Sequence, residues 1–455
     1  MLAIYCPQLI AHRPSPFRDC LLLVAHGMVS FYGTLPQVTL QLLLTFFSLL
    51  FFLLLLSLGL DFSLASLRTP YFYAMEQSKF SSPFILGILG GGQLGKMMLY
   101  TTRKWDIQTY VMDTDEDAPG FQGSDVFFAA NIMDYDAVME MGRMVDVLTI
   151  EIENVNVDAL QDLEEEGIKV YPRAATLRLI SNKAVQKQFY SDNNIPTAAF
   201  EKLEKPDLKT TRAFPFIWKS ATGGYDGKGV QVIRNAAQLA ALPAVPCIYE
   251  DMIDFKLELA VIVARNASGA MNTYPVVEME FHPEANQVEY VLCPARIDDT
   301  VAQQARALAL QVSEAYSHVG LLAVELFLTK DGDLLVNEVA PRPHNSGHYS
   351  IEGAVTDQFE QHLRCVLDLP LGSTDTIMPA VMVNLVGEPG YEGDVIYDGI
   401  HDILAMPGVT PHIYGKKQTR PFRKMGHVTI VGNDMETTRA LAQLVKERMK
   451  VVAGV

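Results

Sequence analysis

The chain has no CxxC pair and no cysteine spacing suited to a metal: Cys6, Cys20, Cys247, Cys293 and Cys365 are scattered over 455 residues. That pattern suits buried free thiols in a reducing compartment. Positive charge is also scarce. The 36 lysines and arginines face 53 acids, leaving a formal charge of −17, which argues against a nucleic-acid-binding surface. An anionic ligand must then be held by a local cationic cluster. The main glycine-rich loop lacks the Gly-Lys-Ser/Thr ending that precedes a helix in a phosphate-binding P-loop.

Residues 1–74 contain neither lysine nor glutamate, and Arg13, Arg18, Asp19, Asp61 and Arg68 sum to +1. From Thr39 to Leu60 they are almost wholly apolar, TLQLLLTFFSLLFFLLLLSLGL. As a helix this stretch covers about 30 Å, one bilayer core. It reads as a membrane anchor or uncleaved signal segment, or else as sequence outside the working protein, with a start at Met75. The second reading gives a cytoplasmic protein. Length suggests about three domains. The expected division is an apolar extension (1–74), a Rossmann-like domain (75–173), a central domain (174–372) and a carboxyl-terminal domain (373–455).

Phe84 to Leu89 is a short apolar run expected to form a buried strand. Gly90, Gly92 and Gly95 then spell GxGxxG before a helix, and the next strand ends at Asp113. That is the dinucleotide-binding fingerprint, and it opens the reading of an NAD-dependent oxidoreductase. The same turn serves any ligand at the carboxyl ends of a parallel sheet. A further strand, VDVLTI, runs into Glu151, Glu153 and Asn154, which face the same crevice.

In the central domain, Ala174 to Tyr190 reads as one helix with Lys183 near its middle. Residues 217–232, IWKSATGGYDGKGVQV, read as strand, glycine loop, strand, with Lys219 and Lys228 supplying cations for phosphate oxygens. The stretch LLAVELFLTKDGDLLVNEVAPRPHNSGH contains two alternating strands about Asp331-Gly332, a two-residue hairpin signal. With Lys330 opposite Asp333, Glu325 falls opposite Glu338. Two facing carboxylates repel unless a cation lies between them, and oxygen ligands favour Mg²⁺. Asn337 adds a third oxygen donor. Arg342, His344, Asn345 and Ser346 follow at once and suit an anionic ligand. Near the carboxyl end, Lys416, Lys417, Arg420, Arg423 and Lys424 concentrate positive charge.

Together, Lys183, Lys219, TGGYDGKG, Glu250 with Glu258, and the Glu325/Asn337/Glu338 hairpin resemble an ATP-grasp ligase. More narrowly, GGGQLG, TGGYDGKG and NEVAPRPHNSGH resemble the 5-(carboxyamino)imidazole ribonucleotide synthase family, from Met75 to nearly the end. The resemblance implies an α/β fold: a Rossmann-like pre-ATP-grasp domain, an ATP-grasp domain and a small carboxyl-terminal domain. It implies that Lys183 and Lys219 contact ATP phosphates, with Gly224, Tyr225, Asp226, Gly227, Lys228, Gly229 and Val230 closing over them. Glu250, Asp251, Met252 and Ile253 would hold adenine through their backbone, and Glu258 the ribose. Glu325 and Glu338 would bind Mg²⁺, with Asn337 beside them. His282 falls at a family histidine near the nucleotide, in a segment, EMEFHPEAN, whose length departs from the family pattern. Bicarbonate and 5-aminoimidazole ribonucleotide would lie around catalytic Arg342, His344 and Asn345. Gln93, Leu94, Glu153, Ser346, Lys416, Arg423 and Lys424 would bind the ribonucleotide. The resemblance further implies a cytoplasmic homodimer in purine biosynthesis. The rival readings are a formate-dependent ribonucleotide transformylase, the NAD-dependent oxidoreductase, and a membrane scaffold resting on residues 39–60 alone.

Overall fold

Short apolar runs separated by helices build the first layer, as βα alternation requires. In the computed structural model, β1 (Ile85–Leu89), β2 (Gln108–Asp113), β3 (Val126–Ala129), β4 (Val147–Ile150) and β5 (Lys169–Tyr171) form a parallel sheet in the order β3-β2-β1-β4-β5. The structure describes residues 79–81, 83–223, 229–283 and 287–454. The extension 1–74, its apolar span 39–60 and the loop residues Gly224, Tyr225, Asp226, Gly227 and Lys228 lie outside them. Among the described residues, no helix is long and apolar enough to cross a membrane.

A four-stranded antiparallel sheet follows: β6 (Phe200–Leu203), β7 (Phe216–Ser220), β8 (Val230–Ile233) and β9 (Cys247–Asp251), in the order β6-β9-β7-β8. The largest sheet takes β10 (Phe255–Arg265), β11 (Met271–Thr273), β12 (Val277–Phe281), β13 (Val288–Cys293), β14 (Gly320–Thr329), β15 (Leu334–Ala340) and β16 (Ala380–Val386). After β17 (Gly393–Asp398) the chain returns to it with β18 (Val409–Ile413) and, past β19 (Gln418–Thr419), with β20 (Lys424–Val431). β21 (Lys450–Ala453) pairs with β17. The order is β15-β14-β10-β12-β13-β16-β20-β18, with β11 on the side of β10. This sheet therefore runs across position 372, through the antiparallel β13–β16 pair.

β14 is buried on both faces. Leu322, Val324 and Leu326 pack in one core with Ala305, Leu308, Ala309, Val312 and Tyr316 of the helix Asp299–Tyr316, while Leu321 and Ala323 pack in another. The helix spacing is that of an apolar stripe on a 3.6-residue turn. Each fully buried Leu or Val contributes about 1.5–3 kcal/mol. The amino-terminal sheet is joined to this body by the helix Gln358–Val366. Its Phe359, Leu363 and Val366 share a core with Leu94, Met97 and Met98 of the helix Gln93–Lys104. His362 on that helix spans the joint. Its Nδ1 accepts from the Leu321 N–H (3.3 Å), so Nε2 carries the proton and donates to Thr149 Oγ1 (3.0 Å).

Candidate active site

A capped helix break positions the first lysine. Instead of the single expected helix from Ala174 to Tyr190, there are two, Ala174–Ser181 and Lys183–Asp192. Asn182 leaves the helical region (φ −117°, ψ 107°) and its side-chain oxygen accepts from the Ala184 and Val185 N–H groups, as a good N-cap does. Lys183 thus opens a helix, and its N–H donates to the Ala221 carbonyl beyond β7 at 2.8 Å. Its Nζ lies 3.7 Å from Glu338 Oε2.

One turn along the same helix face stands Lys187, which sequence reasoning missed. Its Nζ is 2.9 Å from Glu250 Oε1 and donates to Thr197 Oγ1 at 2.5 Å. Lys219 reaches the other Glu250 oxygen at 2.8 Å and donates to Asn337 Oδ1 at 3.3 Å. Lys187 and Glu250 are 2% and 3% exposed. Burial lowers the Lys187 ammonium to about 8 against the pull of Glu250. Burial also pushes Glu250 upward, but Lys219 and Lys187 hold it below its ordinary value. The only signal in the sequence is the four-residue spacing in KAVQK.

The hairpin brings Glu325 opposite Glu338, by a route that differs from expectation. Next to the turn the pairs are Leu328–Leu334, Phe327–Leu335 and Leu326–Val336, one residue out of the register that places Lys330 against Asp333. The Thr329 N–H donates to the Asp333 carbonyl, so Asp331-Gly332 sits within a longer loop. A bulge between the Leu326 and Glu325 pairs takes up Asn337 and restores the glutamate pairing. A bulge bends its strand and re-aims side chains; here Asn337 meets Lys219 and Glu338 meets Lys183.

Three carboxylates crowd this face. Burial, then Glu338 and Glu258, push Glu325 up to about 8. Burial, then Glu338, pushes Glu258 up to about 7. Among the described residues, no group of three or more His, Cys, Asp or Glu side chains is placed to hold a metal ion. The donor set is two carboxylates with an amide beside them. That suits Mg²⁺, which takes one or two carboxylates and completes its shell with phosphate oxygens and water.

Beyond β15, Arg342 Nε lies 2.9 Å from Glu153 Oε2, close but not aligned as a hydrogen bond. His344 Nδ1 is 2.9 Å from Ser346 Oγ and also accepts from the Ser346 N–H, which turns Nε2–H toward Glu325 Oε1 at 3.6 Å. Burial, then Arg342 and Lys424, hold this imidazole well below its usual range, hence neutral. Ser346 is buried and serves His344. Asn345 exchanges two 2.8 Å amide hydrogen bonds with Asn384.

At the amino-terminal turn, the glycines make room for a side chain of the protein itself. The Gly95 N–H donates to Glu151 Oε2 (2.5 Å) and the Gly91 N–H to Asp113 Oδ2 (2.8 Å). A Cβ at Gly90, Gly92 or Gly95 would lie 2.6, 2.1 or 2.8 Å from Glu151 atoms. Glu151 thus sits at the helix N-terminus where a dinucleotide pyrophosphate would lie, and Asp113 caps the turn. This corrects the dinucleotide reading. Burial pushes Glu151 up to about 7. Leu94 packs in the core, so its side chain does not face a ligand, whereas Gln93 is half-buried.

The basic segment divides. Lys424 is among the charges acting on Glu325, His344 and His348, and Lys416 acts on Glu151. Lys416 Nζ donates to the Lys424 carbonyl at 2.8 Å. Arg423 has other partners: it donates to the Gln418 carbonyl (2.6 Å) and acts on Tyr397. Lys417 pairs with Asp117. His282 packs against Phe422 (5.9 Å between rings), in a small pocket with Asn384 and Lys446. Asp251 is taken by Arg212 at 2.5 Å, Met252 is 50% exposed and Ile253 is half-buried. Gly229 holds φ 76° where the glycine loop re-enters β8 at the exposed Val230.

Family models agree with this layout. The ribonucleotide synthetase preATP-grasp domain matches residues 84–181, the ATP-grasp domain 188–359, and the phosphoribosylaminoimidazole carboxylase C-terminal domain 380–441. The N5-carboxyaminoimidazole ribonucleotide synthase of Bacillus subtilis is 38% identical over 356 residues, 76% of this chain and 91% of that protein. The phosphoribosylaminoimidazole carboxylase of Saccharomyces cerevisiae is 36% identical over 369 residues, 77% of this chain and 64% of that protein. The crystal structure of the Thermotoga maritima N5-carboxyaminoimidazole ribonucleotide synthetase superposes with a TM-score of 0.76 at 41% identity, covering 82% of this chain and 100% of that one. The Aspergillus clavatus synthase, in complex with ADP and 5-aminoimidazole ribonucleotide, superposes with a TM-score of 0.74 at 31% identity, covering 80% and 98%. With its glycine turn, lysine cluster and facing glutamates in place, the chain belongs to the N5-carboxyaminoimidazole ribonucleotide synthase family of ATP-grasp enzymes.

Proposed function

We propose that the chain uses ATP and bicarbonate to carboxylate the amine of 5-aminoimidazole ribonucleotide, releasing ADP and phosphate. The observation that carries this reading is the facing Glu325–Glu338 pair ringed by Lys183, Lys219 and Asn337. Cationic groups on one side and acidic oxygens on the other are what phosphoryl transfer needs, because its catalysis is positioning plus charge stabilisation. Lys183 and Lys219 face the ATP phosphates, and the Glu250–Ile253 backbone and Glu258 hold the nucleoside. Glu325 and Glu338 would hold Mg²⁺, which would neutralise phosphate charge when bound.

A bicarbonate oxygen attacks the γ-phosphorus, ADP leaves, and carboxyphosphate forms. The ribonucleotide amine then attacks its carboxyl carbon; phosphate departs and the amine loses one proton. Arg342 and the Nε2–H of neutral His344 would hold the anionic carboxyl, a role supported by the buried, neutral imidazole and by Arg342 beside it. Lys416 and Lys424 hold the ribonucleotide. Excluding water protects the acyl phosphate. The same reading makes the protein a cytoplasmic homodimer.

The test is ADP release from ATP and Mg²⁺. Bicarbonate and aminoimidazole ribonucleotide should both be required for full rate, and ¹³C-bicarbonate should appear in the product. Formate in place of bicarbonate should not support ADP release; if it does, the chain is a transformylase.

A further inference from the structure

Lys187 is a buried cation that the reaction above does not use. It shares Glu250 with Lys219, one lysine on each carboxylate oxygen, at 2.9 and 2.8 Å. Its own setting is fixed: it donates to Thr197 Oγ1, whose hydroxyl donates to the Val336 carbonyl at 2.6 Å. It cannot swing out to a ligand while it is held in this way at 2% exposure. Lys219 is at the rim of the same group, and its second contact, Asn337, leads to the glutamate strand.

The trio carries two positive charges and one negative. Without Lys187, a nearly fully buried Glu250 would have Lys219 as its remaining close cation. A buried carboxylate with one counter-ion commits that ion strongly. We propose that Lys187 is a positioning residue that neutralises Glu250, so that Lys219 keeps a net positive charge for nucleotide phosphates. The proposal rests on the ATP reading above. It assigns Lys187 no contact with substrate.

Calorimetric titration of the full chain with Mg·ADP tests it. Lys187→Met should weaken ADP binding about ten- to a hundredfold, the scale of one lost charge-assisted contact. The Michaelis constant for ATP should rise, with that for the ribonucleotide unchanged. The decisive variant is Lys187→Met with Glu250→Gln. Removing the anion along with its cation returns Lys219 to the phosphates, so the double variant should recover at least tenfold of the lost affinity. A lysine that serves stability alone would lose and regain melting temperature and ADP affinity together, whereas here the affinity should fall and recover at a temperature where every variant compared is folded. Melting curves separate folding from binding. If Lys187→Met alone does not fold, the double variant still decides, because it removes the buried anion together with one of its two cations and leaves Lys219 with Asn337: near-native ADP affinity supports the proposal and a hundredfold loss overturns it. Native affinity in folded Lys187→Met also overturns it. Absence of ADP binding in the unmodified chain overturns the ATP reading itself.

Discussion

Gly92 stands where a single added carbon would meet Glu151: its Cβ would lie 2.1 Å from Glu151 Oε1. The Gly92 backbone is ordinary (φ −71°, ψ −158°), so alanine is excluded by that side chain and not by strain. Gly92→Ala should therefore cost about 1–3 kcal/mol of stability, the usual price of overpacking. In a Glu151→Ala background the same substitution should cost almost nothing. Denaturant melts of the four proteins measure the coupling; equal costs in both backgrounds would show that the glycine answers to something else.

Glu338→Gln should abolish Mg²⁺-dependent ADP release and leave the melting temperature equal or higher. The reason is the facing Glu325: removing one of two opposed carboxylates relieves repulsion while deleting a phosphate-side ligand. Undiminished turnover in the variant would remove Glu338 from the metal assignment.

Lys424→Ala should raise the Michaelis constant for the ribonucleotide about ten- to a hundredfold. Arg423→Ala should barely change it, since Arg423 is held by the Gln418 carbonyl at 2.6 Å, whereas Lys424 is one of the main charges acting on Glu325 and His344. Steady-state kinetics of the two variants, at saturating ATP, compare neighbouring residues. The reverse pattern would move the phosphate anchor to Arg423.

Acid should unfold the protein through its buried imidazoles. Burial lowers His318 from 6.5 to about 4, and His348 and His362 from 6.5 to about 3. Unfolded, each takes up a proton near pH 6.5. Folded, each resists until pH 3–4. Their contribution to stability is therefore complete above pH 6.5 and is lost as pH falls toward 3, by about 1.4 kcal/mol per pH unit for each imidazole. His362→Gln should flatten the slope of stability against pH between 6 and 4 by one proton. An unchanged slope would mean that His362 is protonated in the native state.

A chain beginning at Met75 should fold and turn over like the full-length protein. All three family matches lie within residues 84–441. Loss of activity in this shortened chain would make residues 1–74 part of the enzyme.

The elements that sequence reasoning found were those marked by local chemistry. Alternation and a turn signal led to the Glu325–Glu338 pair, although two displacements cancelled: the turn is one residue out of register, and the Asn337 bulge restores it. Bulges leave no residue signature that alternation can detect. GxGxxG correctly marked a strand, turn and helix, but its occupant is Glu151, just past the end of β4 and about 60 positions on in the chain. Lys187 was missed because burial is a property of the assembled fold, and a lysine in KAVQK looks solvated. Arg423 and Lys424 are adjacent in the chain and acquire different partners only once β20 begins.

The continuous sheet has a consequence for the order in which the protein can be made. β13 leaves the ribosome well before β16, the strand that covers it. Until residues 380–386 arrive, the strand Val288–Cys293 offers an open, largely apolar edge of unpaired amides and carbonyls. Such an edge templates pairing with other chains. The carboxyl-terminal segment thus acts as an internal guard for the central one. A nascent or truncated chain that stops before β16 should be sticky in proportion to the time that edge stays bare.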